Sequence, residues 1–240
     1  MVEFLIGKKL LTDLFRCACV MKTNKGKRLI DTLEITVQDN EITARGIDVA
    51  YTVMSYVRAR VDEVIEPGTF VYSPAQLLGR LQSFGSELSV KTDNEKIYVT
   101  DLENVTTFID TLPETEIRFP RIEFEEKQGV LVPKSEKIES LCITEVVMDL
   151  PKFERDVVLH FGANGFEIML EDELTTFKKK LGTEKFEQEL KVKVNGNYLD
   201  KIISVIKTPF VLGANENIVY IYANLSWGEV AYLVAPMVME

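Results

Sequence analysis

The chain has 240 residues, of which 46% are hydrophobic, and its 28 Lys+Arg against 38 Asp+Glu give a net charge of −10. This balance excludes a disordered chain and a disulfide-dense miniprotein, and argues against a simple basic nucleic-acid binder while leaving the charge of any one face open. Cys17, Cys19 and Cys142 form no CxxC pair and have no neighbouring His, so neither a disulfide framework nor a zinc site is expected. No stretch reaches the ~18 apolar residues of a membrane helix, and the N-terminus lacks a signal-peptide core. An intracellular protein is expected.

Helical periodicity predicts a first helix over Gly7–Val20, with Leu10, Leu11, Leu14 and Ala18 on one face. The polar run Met21–Arg28 follows. Alternation over Leu33–Val37, a Gln-Asp-Asn-Glu turn and renewed alternation from Ile42 predict a hairpin, and Val49–Val61 a further strand. A second helix is expected over Pro74–Phe84, N-capped by Ser73, stopped by Gly85 and burying Leu77, Leu78, Leu81 and Phe84. Strands are expected at Leu88–Val90, Lys96–Thr100 and Val105–Thr111. A third helix is predicted over Lys134–Val146, with Ile138, Leu141 and Cys142. Ala163-Asn164-Gly165 reads as a hairpin turn, its Asn-Gly suited to type I′. Gln188–Val194 reads as a strand and Asn197–Ile206 as a fourth helix, burying Leu199, Ile202, Ile203 and Ile206. Strands at Phe210–Leu212, Ile218–Leu225 and Glu229–Val234 complete the chain.

The chain repeats itself. An offset of 122 places Leu77 on Leu199, Leu81 on Ile203, Val90 on Leu212 and Tyr98 on Tyr220. An offset of 124 places Ile35, Val37 and Ile42 on Leu159, Phe161 and Phe166. Two weak matches in the same order point to two domains of one α+β fold, each with two helices packed on antiparallel sheets.

Opposite their apolar stripes the four helices carry Lys8, Lys9 and Arg16, then Arg80, then Lys134 and Lys137, then Lys201 and Lys207; Lys22, Lys25, Lys27 and Arg28 follow the first helix. Each face taken singly reads as solvated mixed charge. Together they read as one surface that tolerates phosphates without gripping bases.

These elements resemble the PCNA-type sliding clamps, most closely the archaeal ones. The resemblance is carried by the ending Gly228-Glu-Val-Ala-Tyr-Leu-Val-Ala-Pro-Met-Val-Met-Glu240, by the link Arg118-Phe-Pro-Arg-Ile-Glu-Phe-Glu with Val130-Leu-Val, and by Ala44-Arg-Gly-Ile-Asp48 after the first hairpin. Departures are the insertion at Met21–Arg28, Met237 after Ala-Pro, and Gln82 where a Lys is common.

The resemblance implies a DNA-clamp fold of two domains, 1–117 and 130–240, joined by a connector at 118–129, forming a trimeric ring. Such a ring encircles duplex DNA without reading sequence. It serves as a processivity factor in replication and repair. Polymerase, flap nuclease, ligase and clamp loader dock through short peptide motifs. It further implies a peptide pocket of Ile47, Asp48, Met54, Ile122, Phe124, Leu233, Val234, Ala235 and Pro236. The subunit edges would carry Phe108 and Asp110 on one side and Thr175, Phe177, Lys178, Lys179 and Lys180 on the other. The protein would work with DNA in an archaeal cytoplasm or a nucleus. A second reading is a subunit of a heteromeric or checkpoint-type ring, or a scaffold that does not encircle DNA alone.

Enzyme chemistry is not expected, and neither a cofactor nor a metal is implied. His160 reads as a sheet-surface residue aligned with Thr36, Gly7-Lys8-Lys9 lacks the rest of a P-loop, and Glu125-Glu126 and Glu171-Asp172-Glu173 read as acidic runs on loops.

Overall fold

The computed structural model describes residues 1–22, 27–93, 96–101, 107–111, 119, 122–127, 130–134, 142–147, 152, 155–171 and 176–238. Two compact units divide the chain. The first comprises Met1–Ala50, Met54–Phe119 and Leu225–Val230, and the second Tyr51–Val53, Pro120–Asn224 and Ala231–Glu240.

The first unit runs β1 (Val2–Gly7), α1 (Lys8–Ala18), β2 (Leu33–Gln38), β3 (Glu41–Ile47), β4 (Val53–Arg60), β5 (Glu63–Glu66), β6 (Gly68–Tyr72), α2 (Ala75–Arg80), β7 (Glu87–Thr92), β8 (Lys96–Asp101) and β9 (Thr107–Thr111). Two antiparallel arrays result, β5-β1-β7-β8-β9 and β4-β3-β2-β6. Alternation decides which faces turn inward: β2 buries Leu33, Ile35 and Val37, and β3 buries Ile42 and Ala44. Leu11, Leu14, Phe15 and Ala18 of α1 form the stripe that covers apolar surface. Ser55 Oγ donates to the carbonyl of Ala18 at 2.6 Å, fixing the end of α1 to β4.

The second unit runs β10 (Phe124–Lys127), β11 (Val130–Pro133), β12 (Cys142–Val146), β13 (Val157–Gly162), β14 (Gly165–Glu171), β15 (Thr176–Gly182), β16 (Leu190–Val194), α3 (Gly196–Ile206), β17 (Phe210–Asn215), β18 (Ile218–Leu225) and β19 (Gly228–Val234). Its arrays are β12-β17-β18-β19 and β15-β14-β13-β16, beside the β10-β11 hairpin. Phe161 lies 4.7 Å from Phe166 and meets Phe186 edge-on at 5.3 Å, centring an aromatic core.

Strand registers reproduce the repeat read from the sequence. The pair Ile35↔Ala44 falls on Leu159↔Ile168 at an offset of 124, and Val90↔Val99 falls on Leu212↔Ile221 at 122. The two units therefore share one pattern of strand pairing.

Four expectations are corrected. Cys142–Val146, read as the last turn of a third helix, is the strand β12: its run Cys-Ile-Thr-Glu-Val favours a pleat, Thr144 and Val146 are buried, and all five residues pair with β17. Residues 135–141 lie outside the described residues. Ser73 does not cap α2; its hydroxyl donates to the Asp31 carbonyl at 2.8 Å. In the Ala163-Asn164 turn the left-handed residue is Gly165, at φ 111, whereas Asp39 and Asn40 of the first hairpin take the two positive φ values of a type I′ turn. Glu125 and Glu126 lie in β10 and Glu171 in β14, not on loops.

Candidate nucleic-acid and partner surfaces

On α1, Lys9 is exposed, whereas its neighbours turn back onto the protein. Lys8 Nζ donates to the carbonyl of Phe84, and Arg16 Nη2 donates to that of Lys22 at 2.6 Å. The second bond holds the backbone of Lys22 against the helix, and Lys22 and Lys27 are both exposed. Arg28 is paired with Asp31. Arg80 is exposed in the last turn of α2, and Lys134 is exposed just after β11. On α3, Lys201 is half-buried. Lys207 is exposed and ends the helix in a left-handed conformation, φ 53. Lys25 and Lys137 lie outside the described residues.

The expected peptide pocket is divided between the two units. In the first, Ile47 and Met54 are buried and stand opposite each other across β3 and β4, with Asp48 buried beside them in sequence. In the second, Leu233 and Val234 are buried, Ile122, Phe124 and Pro236 are half-buried, and Ala235 is exposed. The Ala235 N–H donates to the carbonyl of Thr52 at 2.8 Å. Sequence reasoning missed Val49 and Tyr51, 85% and 61% exposed. The available signal was two apolar residues in a loop directly after Asp48. It also missed a groove of about 540 Å³ in the second unit, where Pro236, Met237 and Val238 run beside β16 and the Met237 N–H bonds to Lys193 O at 2.8 Å.

The expected subunit edges fall on strands that end their arrays, β9 and β15. Phe108 and Asp110 are in β9, opposite Val99 and Ile97. On β15, Phe177 and Lys180 are exposed and Lys179 is half-buried, while Lys178 Nζ lies 2.5 Å from Glu167 Oε2. Thr175 lies outside the described residues. The register offset of 122 makes β15 the counterpart of β4 and β9 the counterpart of β19. Within the first unit the opening of β19 lies directly on β4: Arg58 binds Glu229, and a Cβ on Gly228 would stand 2.3 Å from Arg58 O.

His160 occupies the outward face of β13, between Glu167 at 3.3 Å from Nδ1 and Glu189 at 3.0 Å from Nε2. Lys178 first, then His160, holds the Glu167 carboxyl below its ordinary pKa; Lys191 first, then His160, does the same for Glu189. The two carboxylates sit on opposite ring nitrogens and do not converge on a metal position. No group of three or more metal-ligating side chains occurs among the described residues. Among those residues no helix is long and apolar enough to cross a membrane.

The paired arrays, repeated twice with helices against them, define a two-domain clamp fold. That fold is the one in a solved structure of A. fulgidus PCNA bound to the C-terminal region of FEN-1: the TM-score is 0.71 at 15% identity, covering 100% of both chains. No protein-family model matches the chain. No curated protein matches it.

Proposed function

We propose that the chain is a DNA sliding clamp, a trimeric ring that encircles duplex DNA and docks replication and repair enzymes through short peptides. One observation carries this reading. The opening of β19 lies on β4 inside the chain, while their counterparts β9 and β15 end their arrays. Repeating this strand contact between chains is a head-to-tail interaction of the kind that builds rings, and three copies is the number the resemblance to PCNA-type clamps implies. The surface supports a sequence-independent role. Its exposed cations Lys9, Lys22 and Lys27 suit phosphates, in a chain whose net charge of −10 repels DNA elsewhere.

In this reading the domains are 1–117 and 130–240 with the connector at 118–129. Partner peptides anchor on Ile47, Asp48, Met54, Ile122, Phe124, Leu233, Val234, Ala235 and Pro236, and the A. fulgidus PCNA of the same fold was solved bound to the C-terminal region of FEN-1. The edges around Phe108 and Asp110, and around Thr175 and Phe177–Lys180, join the subunits, and the protein works where DNA is.

Light scattering over a concentration series tests the ring, with a mass of three 27.3-kDa chains as the expected result. Retention on nicked circular DNA with release on linearisation tests encirclement. A stable monomer overturns the homotrimer and directs attention to a heteromeric ring.

A further inference from the structure

We infer that this chain meets nucleic acid one-sidedly, through the first unit's connection between β1 and β2, because the corresponding connection of the second unit is 16 residues shorter. The inference rests on the clamp reading above and specifies which part of the clamp faces the phosphates.

With β7 mapped on β17 at the offset of 122, the pair Ile6↔Leu88 falls on Val146↔Phe210, so β1 maps on β12 at an offset of 140. The next strand, β2, maps on β13 at 124. The change in offset means that 16 residues present in the first unit have no equivalent in the second. They fall in one place. Residues 7–32 join β1 to β2 and include the eleven-residue α1, whereas residues 147–156 are all that join β12 to β13. Val147, the equivalent of Gly7, is 67% exposed, and Lys152, Arg155 and Asp156 are not helical. The whole connection is shorter than the eleven residues of α1 alone.

The missing segment is also the most cationic part of the molecule's repeat. Residues 7–32 contain Lys8, Lys9, Arg16, Lys22, Lys25, Lys27 and Arg28 against Asp13 and Asp31, a net charge of +5. Residues 147–156 contain Lys152 and Arg155 against Asp149, Glu154 and Asp156, a net charge of −1. In the first unit the arrangement is held in place, since Arg16 ties the carbonyl of Lys22 to α1 and leaves Lys9, Lys22 and Lys27 exposed. Among the described residues of the second unit the cation within a helix is Lys201 on α3, adjacent to Asp200, with Lys207 at the helix end and Lys134 exposed after β11. Counterion release follows the number of phosphates neutralised, so these inventories predict that binding is dominated by the first unit.

The test is binding of a fluorescein-labelled linear duplex by anisotropy across a salt series. It compares the full chain with Lys9→Glu/Lys27→Glu and with Lys201→Glu/Lys207→Glu, all checked by thermal melting. The first pair is expected to lower affinity about tenfold and to flatten the salt slope by about 2; the second is expected to flatten it by less than about half as much. If the first pair does not fold, Lys9→Gln/Lys27→Gln is expected to flatten the slope by about 2 in its place. Equal losses in the two pairs, or a larger loss in the α3 pair, overturn the one-sided contact and leave the clamp reading standing. Absence of duplex binding by the parent protein at low salt overturns the one-sided contact, and retention on nicked circular DNA decides the clamp reading separately.

Discussion

Arg58 holds Glu229 through two guanidinium nitrogens, Nε at 3.0 Å and Nη2 at 2.7 Å, both on the same carboxylate oxygen. The fork joins the opening of β19 to β4, and the two side chains remain 33% and 24% exposed. Solvent screening therefore limits its worth. Replacing Arg58 by Ala is expected to destabilise the protein by about 1 kcal/mol, and Arg58→Lys by a similar amount, because an ammonium cannot reproduce the fork. Urea denaturation measures it; an unchanged midpoint would count against a structural role for the pair.

Glycine is required at two turns for different reasons. Gly165 has φ 111, and a Cβ there would lie 2.2 Å from Gly182 O; at Gly228 the conflict is with Arg58 O at 2.3 Å. Both obstacles are backbone, which cannot rotate aside. Gly165→Ala and Gly228→Ala should each cost at least about 2 kcal/mol, read as a lowered melting temperature.

The side chain of Asn195 accepts the Asn197 N–H at 3.0 Å and caps α3. Asn195→Ala should cost about 1 kcal/mol, whereas Asn195→Asp should retain most of the stability. Equal losses in the two variants would show that the cap contributes nothing.

Glu167 gives the pH dependence a sign. Its carboxyl is held below the ordinary range by Lys178 and then His160, so folding favours its charged form. Such a group contributes fully above the unfolded-state pKa, about 4.3, and its contribution is lost as pH falls through the lower, folded-state value. Glu167→Gln should lower stability at neutral pH and flatten the decline between about pH 5 and pH 3. Parallel stability–pH curves for the parent and variant would contradict this linkage.

Thiol chemistry should follow burial. Burial pushes the Cys19 thiol up to about 12, with Arg28 opposing and Asp31 adding to the shift, and burial also raises that of half-buried Cys142. Ellman's reagent at neutral pH should modify Cys142 slowly in the native protein and reach buried Cys17 and Cys19 only on unfolding. Rapid modification of all three would refute the packing of the end of α1.

Much of this architecture is legible in the sequence because its signals are local. Periodicity places α1, α3 and the β2–β3 hairpin to within a few residues, and the repeat points to two domains of one fold. The failures are also physical. Cys142–Val146 carries apolar residues at spacings that a helix stripe or a sheet edge can use, and only pairing with β17 decides between them. Ser73 has the chemistry of a cap but finds the carbonyl of Asp31, 42 residues away, within reach. Lys8 and Arg16 look like solvent-facing cations on the helical wheel, yet long side chains bend toward orphan carbonyls that have no sequence signature.

By itself, then, the sequence determined the two-fold repeat, which shows in segments about 122 residues apart, and the concentration of cations around the first helix, which shows in a local run of Lys and Arg. Tertiary structure decided which cations remain free for phosphates and which strand edges remain open. It also decided where the repeat breaks. Registers between distant strands show that the 16-residue difference between the units falls at the one connection that carries α1. That difference leaves no mark in local periodicity, because it consists of residues the second unit does not have.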